Sequence, residues 1–202
     1  AGHDHTDGPK ISQFWFNNRI KHLSSETTMK NYCLILLFLS AWGSGYAENS
    51  VPAYPHVRVE TTEGTFVLEL ASKRAPLTAQ NFLSLVDSGY FDRTIFHRVI
   101  PHFMIQGGGF TPDLKEKKSD YTISNESGNG LSNTYGTIAM ARQSDPHTAS
   151  TQFFINVANN TRLDPSPTSW GYAVFGYVIE GMEVIDKISL LPTGPSGQFK
   201  KD

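Results

Sequence analysis

Phe96-His97-Arg98-Val99-Ile100-Pro101-His102-Phe103-Met104-Ile105-Gln106-Gly107-Gly108 is the stretch whose reading decides the fold. Ile95, Val99 and Ile100 suit a β-strand, Pro101 interrupts it, and residues 103–106 suit a second short strand. Side chains alternate between the faces of a strand. Arg98 and Gln106 then become polar groups on a largely apolar surface, with Phe103 and Met104 between them. Such a surface can hold an apolar ring and orient a neighbouring amide. Taken alone, the stretch is also explained by an ordinary strand pair. Arginine is then a solvated or salt-bridged edge residue, and Phe-Met is core.

Working outward, the chain alternates over residues 57–61, turns at Glu63-Gly64 and alternates again over 65–70, which predicts a hairpin. Residues 76–88 predict a helix. Pro76 suits its first turn, Leu77, Phe82, Leu85 and Val86 gather on one face, and Gly89 stands at the C-cap position. Residues 107–135 are polar and rich in Gly, Ser and Asn, a length that marks a functional or partly structured loop. Short strands are expected at 136–140, 152–156 and 172–178. A second helix is expected at 182–191, with Val184, Ile185, Ile188 and Leu191 on one face and Pro192 ending it. The tail from residue 193 reads as turns. The pattern is mainly β and suggests a closed antiparallel barrel with two helices over its ends.

The 202 residues suffice for one substantial domain. Residues 1–28 show no sustained apolar period and are set apart from the fold as an upstream segment expected to be disordered. At 29–47, Met29 and Lys30 precede a ten-residue apolar run and Gly45-Tyr46-Ala47 follows it, the order of a secretory signal peptide. The run is too short to span a membrane. The folded domain is therefore expected to occupy 48–202, with its start near Glu48, in the periplasm or outside the cell. Cys33, the sole cysteine, lies in the signal segment, so the domain has neither disulfide nor thiol chemistry. Residues 48–202 carry 13 basic and 16 acidic side chains, a net charge of −3 that makes nucleic acid a poor partner. His97 and His102 lack a third ligand at metal-site spacing. Gly107-Gly108-Gly109 is followed by no Lys-Ser/Thr and so is no phosphate loop. Asn125-x-Ser127 and Asn159-x-Thr161 are read as loop residues.

Taken together, Phe-His-Arg-Val-Ile-Pro, Phe-Met-Ile-Gln-Gly-Gly, Ser-Thr-Gln-Phe-Phe-Ile and Val-Phe-Gly make residues 57–191 resemble the cyclophilins, the peptidyl-prolyl cis-trans isomerases, most of all their secreted bacterial branch. The resemblance implies a closed eight-stranded antiparallel barrel with two capping helices. It implies Arg98 and Gln106 as catalytic residues and Phe103, Met104, Ala141, Gln152, Phe154, Leu163 and Tyr172 as substrate-binding residues. It also implies a monomer without cofactor or metal and without a stable membrane anchor. Its partners would be proline-containing unfolded or exported polypeptides.

Arg162 stands where the familiar eukaryotic pattern has a tryptophan, so cyclosporin binding is expected to be weak. Arg142 and Tyr172 replace an asparagine and a histidine. The family's final apolar strand is not found before Asp202, so either the sequence stops short of that strand or the first strand presents an unpaired edge. In the reaction so implied no covalent bond breaks. A fixed positive charge favours the lone pair that the proline nitrogen regains when the amide twists. The alternative, of another class, is a module that captures proline peptides without useful turnover.

Overall fold

The computed structural model describes residues 21–22, 54–119 and 121–199. The expected signal segment and most of the upstream segment lie outside the described residues.

Seven strands of four to seven residues form one curled antiparallel sheet, a half-barrel with one helix inserted after the first hairpin and another after the last strand. β2 (His56–Thr61) and β3 (Gly64–Leu70) are the hairpin that alternation predicts. β4 (Phe96–Ile100) and β5 (Met104–Gly107) are the strand pair on either side of Pro101. β6 (Thr137–Met140), β7 (Phe153–Asn156) and β8 (Val174–Glu180) complete the set. A two-residue strand, β1 (Lys21–His22), lies beside β2. The strand order is β1-β2-β3-β8-β6-β7-β5-β4.

Closure is where expectation and structure part. Among the described residues β4 is not paired with β1 or β2, so the closed eight-stranded barrel is not seen. The outer edge of β2 instead meets Lys21↔Arg58 and His22↔Val57. An edge strand offers a row of unpaired N–H and C=O groups that any extended backbone can satisfy. These two residues come from the upstream segment that the sequence set apart from the fold.

The inner face of the sheet packs on α1 (Pro76–Asp87) and α2 (Met182–Ser189). Phe82 centres the core, its ring 5.1 Å from Phe91, 5.5 Å from Phe153 and 5.2 Å from Phe175. The inward face of α1 is Thr78, Ala79, Phe82, Leu83 and Val86. Leu77, expected on that face, is exposed, because it sits on the first turn where the chain has just left the surface. Gly89 follows the helix at φ +68°, as a C-terminal glycine should. No side chain of its own N-cap residue, Ala75, serves the start of α1. The carboxylate of Glu126, from the long loop, accepts from the N–H groups of Leu77 and Thr78 and from the Thr78 hydroxyl. A negative group at a helix start satisfies free donors and meets the positive end of the helix dipole. The loop is thus partly structured, with a 3₁₀ turn at Ser127–Asn129 and a bridge from Ile123 to Ala149.

Candidate active site

The outer face of the same sheet carries a second, smaller apolar cluster made of Met104, Ala139, Phe154 and Val174. Its separation from the core follows from strand alternation. Phe153 points inward to Phe82, and Phe154, the next residue, points outward. The register aligns Arg98 with Gln106, Gln106 with Phe154, and Phe154 with Ala139, so one row of side chains crosses four strands. Directly opposed residues share a face. This row underlies a cleft of about 450 Å³.

All nine residues singled out from the sequence line that cleft: Arg98, Phe103, Met104, Gln106, Ala141, Gln152, Phe154, Leu163 and Tyr172. Met104 and Phe154 are buried and form the floor. Phe103, Leu163 and Tyr172 are half-buried walls. Tyr172 meets Phe154 edge-on, with ring centres 5.7 Å apart. Arg98 is exposed, and none of the ion pairs among the described residues includes it. The Gln106 amide nitrogen donates to the Gln152 side-chain oxygen at 2.9 Å, which fixes the plane of the Gln106 amide and leaves its second N–H for another acceptor. Gly109 makes room for this pair, since a methyl group there would stand 2.6 Å from the Gln152 side chain.

Four further residues join the cleft: His97, Phe110, Arg142 and Phe199. Alternation places His97 opposite Arg98, but Phe96 pairs with Gly107 and Arg98 with Gln106, so His97 is the extra residue of a β-bulge. A bulge bends its strand and re-aims a side chain. The His97 ring lies 4.6 Å from that of Phe110 and 5.5 Å from that of Phe199, centre to centre. Phe199 reaches it because the tail turns back on itself, with Ser196 and Phe199 bridged. No sequence signal marks that contact.

Burial pushes the His97 pKa down to about 4. The Ile95 carbonyl acts the other way, and the positive charge of Arg98 again lowers it. His97 is therefore neutral at pH 7. The unfolded chain takes up a proton near the ordinary value of about 6.5, which the folded chain refuses until about pH 4. The stability held by the neutral imidazole is complete above the unfolded value and is lost as pH falls through the folded one. Denaturant titrations at pH 7.5 and 4.5 are expected to show the native chain losing stability between them. His97→Gln should remove up to about 3 kcal/mol of that loss. Catalysed exchange should stay level from about pH 6 to 8.

A buried polar network behind the cleft fixes its walls. Asn160 donates to the Phe103 carbonyl at 2.8 Å and to the Asn156 side chain at 2.7 Å. Asn156 donates to Asn133 and Thr137. Asn133 donates to the Tyr172 carbonyl at 3.2 Å. Asp164 accepts from the Ser132 hydroxyl and from both the backbone and side-chain nitrogens of Asn133. Burial raises the Asp164 pKa, but these donors outweigh it and the net shift is downward. The backbone completes the frame, Leu163 N–H donating to Asn160 and Tyr172 N–H to Leu163. Sequence reasoning missed these asparagines, which share no local spacing and meet only through the fold. Asn160→Ala strands buried partners and should cost about 2–3 kcal/mol. Because Phe103 and Leu163 lean on Asn160, KM should rise more than kcat falls; urea midpoints and steady-state kinetics check both effects.

Among the described residues no group of three or more His, Cys, Asp or Glu could hold a metal ion, and no helix is long and apolar enough to cross a membrane. The arrangement is a peptide-sized, largely apolar cleft with the Arg98 cation and a Gln106 amide donor on one side.

Residues 56–202 match the family model described as "Cyclophilin type peptidyl-prolyl cis-trans isomerase/CLD". The chain is 54% identical over 144 residues to a peptidyl-prolyl cis-trans isomerase of Acinetobacter baylyi, covering 71% of this chain and 77% of that one. It is 50% identical over 147 residues to peptidyl-prolyl cis-trans isomerase B of Escherichia coli, covering 71% and 90%. A crystal structure of a cyclophilin type peptidyl-prolyl cis-trans isomerase from Cryptosporidium parvum superposes with a TM-score of 0.61 at 32% identity, covering 73% of this chain and 90% of that one. A second structure from that organism was determined in the presence of the dipeptide Ala-Pro, with a TM-score of 0.60 at 33% identity. The chain belongs to the cyclophilin-type peptidyl-prolyl cis-trans isomerases.

Proposed function

We propose that the chain accelerates rotation about X–Pro bonds by holding the twisted amide better than either planar form. The observation that carries this is the Arg98–Gln106 pair, directly opposed on neighbouring strands beside the Met104–Phe154 floor. The uncatalysed barrier is ~18–20 kcal/mol, and a ~10⁵-fold acceleration removes about 7 kcal/mol of it.

Each residue has a distinct part in this reading. Phe103, Met104, Phe154 and Leu163 hold the proline ring. The free N–H of Gln106 donates to a substrate carbonyl and fixes one side of the bond while the other turns. The Arg98 guanidinium, which no carboxylate among the described residues pairs with, supplies the permanent positive charge for the proline nitrogen lone pair. Exchange spectroscopy on a short Ala-Pro peptide tests the proposal. Binding without faster cis-trans exchange would instead mark a proline-peptide capture module.

We also propose that the domain works after export, as in the secreted bacterial branch of the family, on polypeptides folding in the periplasm or outside the cell. The support is the ordered sequence of charge, apolar run and small residues at 29–47. Intact mass of the secreted protein should show a start near Glu48; retention of the apolar run would reject export with cleavage.

A further inference from the structure

The net charge of −3 over residues 48–202 conceals a local excess of the opposite sign. Three guanidiniums surround the cleft. Arg98 and Arg142 line it. Arg162 lies over the Phe103 ring, its central carbon 4.8 Å from the ring centre, and Arg142 lies over the Tyr172 ring at 4.7 Å. Two aromatic walls of the cleft, Phe103 and Tyr172, therefore each carry a cation.

None of the ion pairs among the described residues includes these arginines. No described aspartate or glutamate lines the cleft. The acids nearest in sequence are engaged elsewhere: Asp145 accepts from the His147 N–H, and Asp164 from Ser132 and Asn133. His97 adds no charge at neutral pH. Arg142 is held in place by donating to the carbonyls of Gly171 and Gln143, so its position costs a ligand little ordering.

We propose that this cleft selects proline segments bearing a glutamate or aspartate within two residues of the proline, with Arg142 and Arg162 as the specificity-determining residues. The inference rests on the isomerase reading and deepens it. The ring box accepts any proline; the rim then discriminates among flanks by charge. An uncompensated cation beside a low-dielectric wall attracts a carboxylate and repels an ammonium group. The Phe103 and Tyr172 rings lie beneath the two guanidiniums. Arg142 gives its Nε and Nη1 donors to the Gly171, Gln143 and Ser144 carbonyls, so its Nη2 donors are the ones offered to a carboxylate.

The experiment uses three peptides sharing an Ala-Pro core whose flanking residues are all Glu, all Gln or all Lys. Catalysed exchange and the dissociation constant are measured for each by NMR on the unaltered chain. The Glu peptide should exchange about fivefold faster than the Gln peptide and bind with a dissociation constant about fivefold lower, with the Lys peptide slower and weaker than Gln. The Glu-to-Gln ratio should fall towards one in Arg142→Gln/Arg162→Gln, persist in Arg162→Lys, and shrink at about 0.5 M salt. Equal handling of Glu and Gln by the unaltered chain overturns the proposal, as does a preference that survives in the double variant. If the double variant does not fold, the salt titration decides, and a ratio indifferent to salt overturns it. If all three peptides bind without faster exchange, the isomerase reading fails, while the ratio of dissociation constants still decides this one.

Discussion

Replacing Arg98 by alanine is expected to lower kcat/KM for an Ala-Pro peptide by about 10²–10³-fold, the usual cost of removing one donor aimed at developing charge. Stability should change by no more than about 0.5 kcal/mol, as for an ordinary surface substitution. The side chain is exposed, and no ion pair or hydrogen bond among the described residues holds it. Arg98→Lys should recover only part of the loss. It keeps the charge, but as a mobile point on a flexible stem in place of a planar fork. Exchange spectroscopy at saturating enzyme, with urea titrations of the same preparations, separates chemistry from folding. Near-normal turnover in the alanine variant would remove Arg98 from its proposed part.

Phe154→Ala should affect both properties. The ring is 5% exposed, sits opposite Gln106 on one side and Ala139 on the other, and meets Tyr172 edge-on. Losing it opens a void under the cleft and should cost about 3–5 kcal/mol. The proline ring would lose its floor, so substrate capture should weaken at least tenfold. Phe154→Leu refills most of the volume and should return most of the stability with less of the capture. A loss of stability without weaker capture would show that the peptide does not rest on this ring.

Much of this was legible in the residues before any coordinates. Alternation on either side of Glu63 sufficed for β2 and β3, and Pro101 between two apolar runs sufficed to separate β4 from β5 and to put Arg98 and Gln106 on one apolar surface. These features are local, and local features have a fixed period. The resemblance supplied the cleft residues that lie far apart in sequence, Leu163 and Tyr172 among them. His97 was not among the residues expected in the cleft, because a bulge breaks the period of two and nothing in Phe-His-Arg announces one. Leu77 was counted into the α1 face by its chemistry, whereas its position on the first turn leaves it in solvent. Phe199 joins the site through a turn in the tail, and Asn133, Asn156 and Asn160 meet behind it from separate loops and strands. Such contacts are set by the path of the chain in space.

The asparagine scaffold behind Phe103, Leu163 and Tyr172 bears on how the protein meets a flexible polypeptide. A receptacle whose walls are fastened before the guest arrives requires little rearrangement on docking, and most of the ordering falls on the guest. Encounters can then be brief and frequent. A long client with many prolines can be sampled at one bond after another without the receptacle needing to reset its shape.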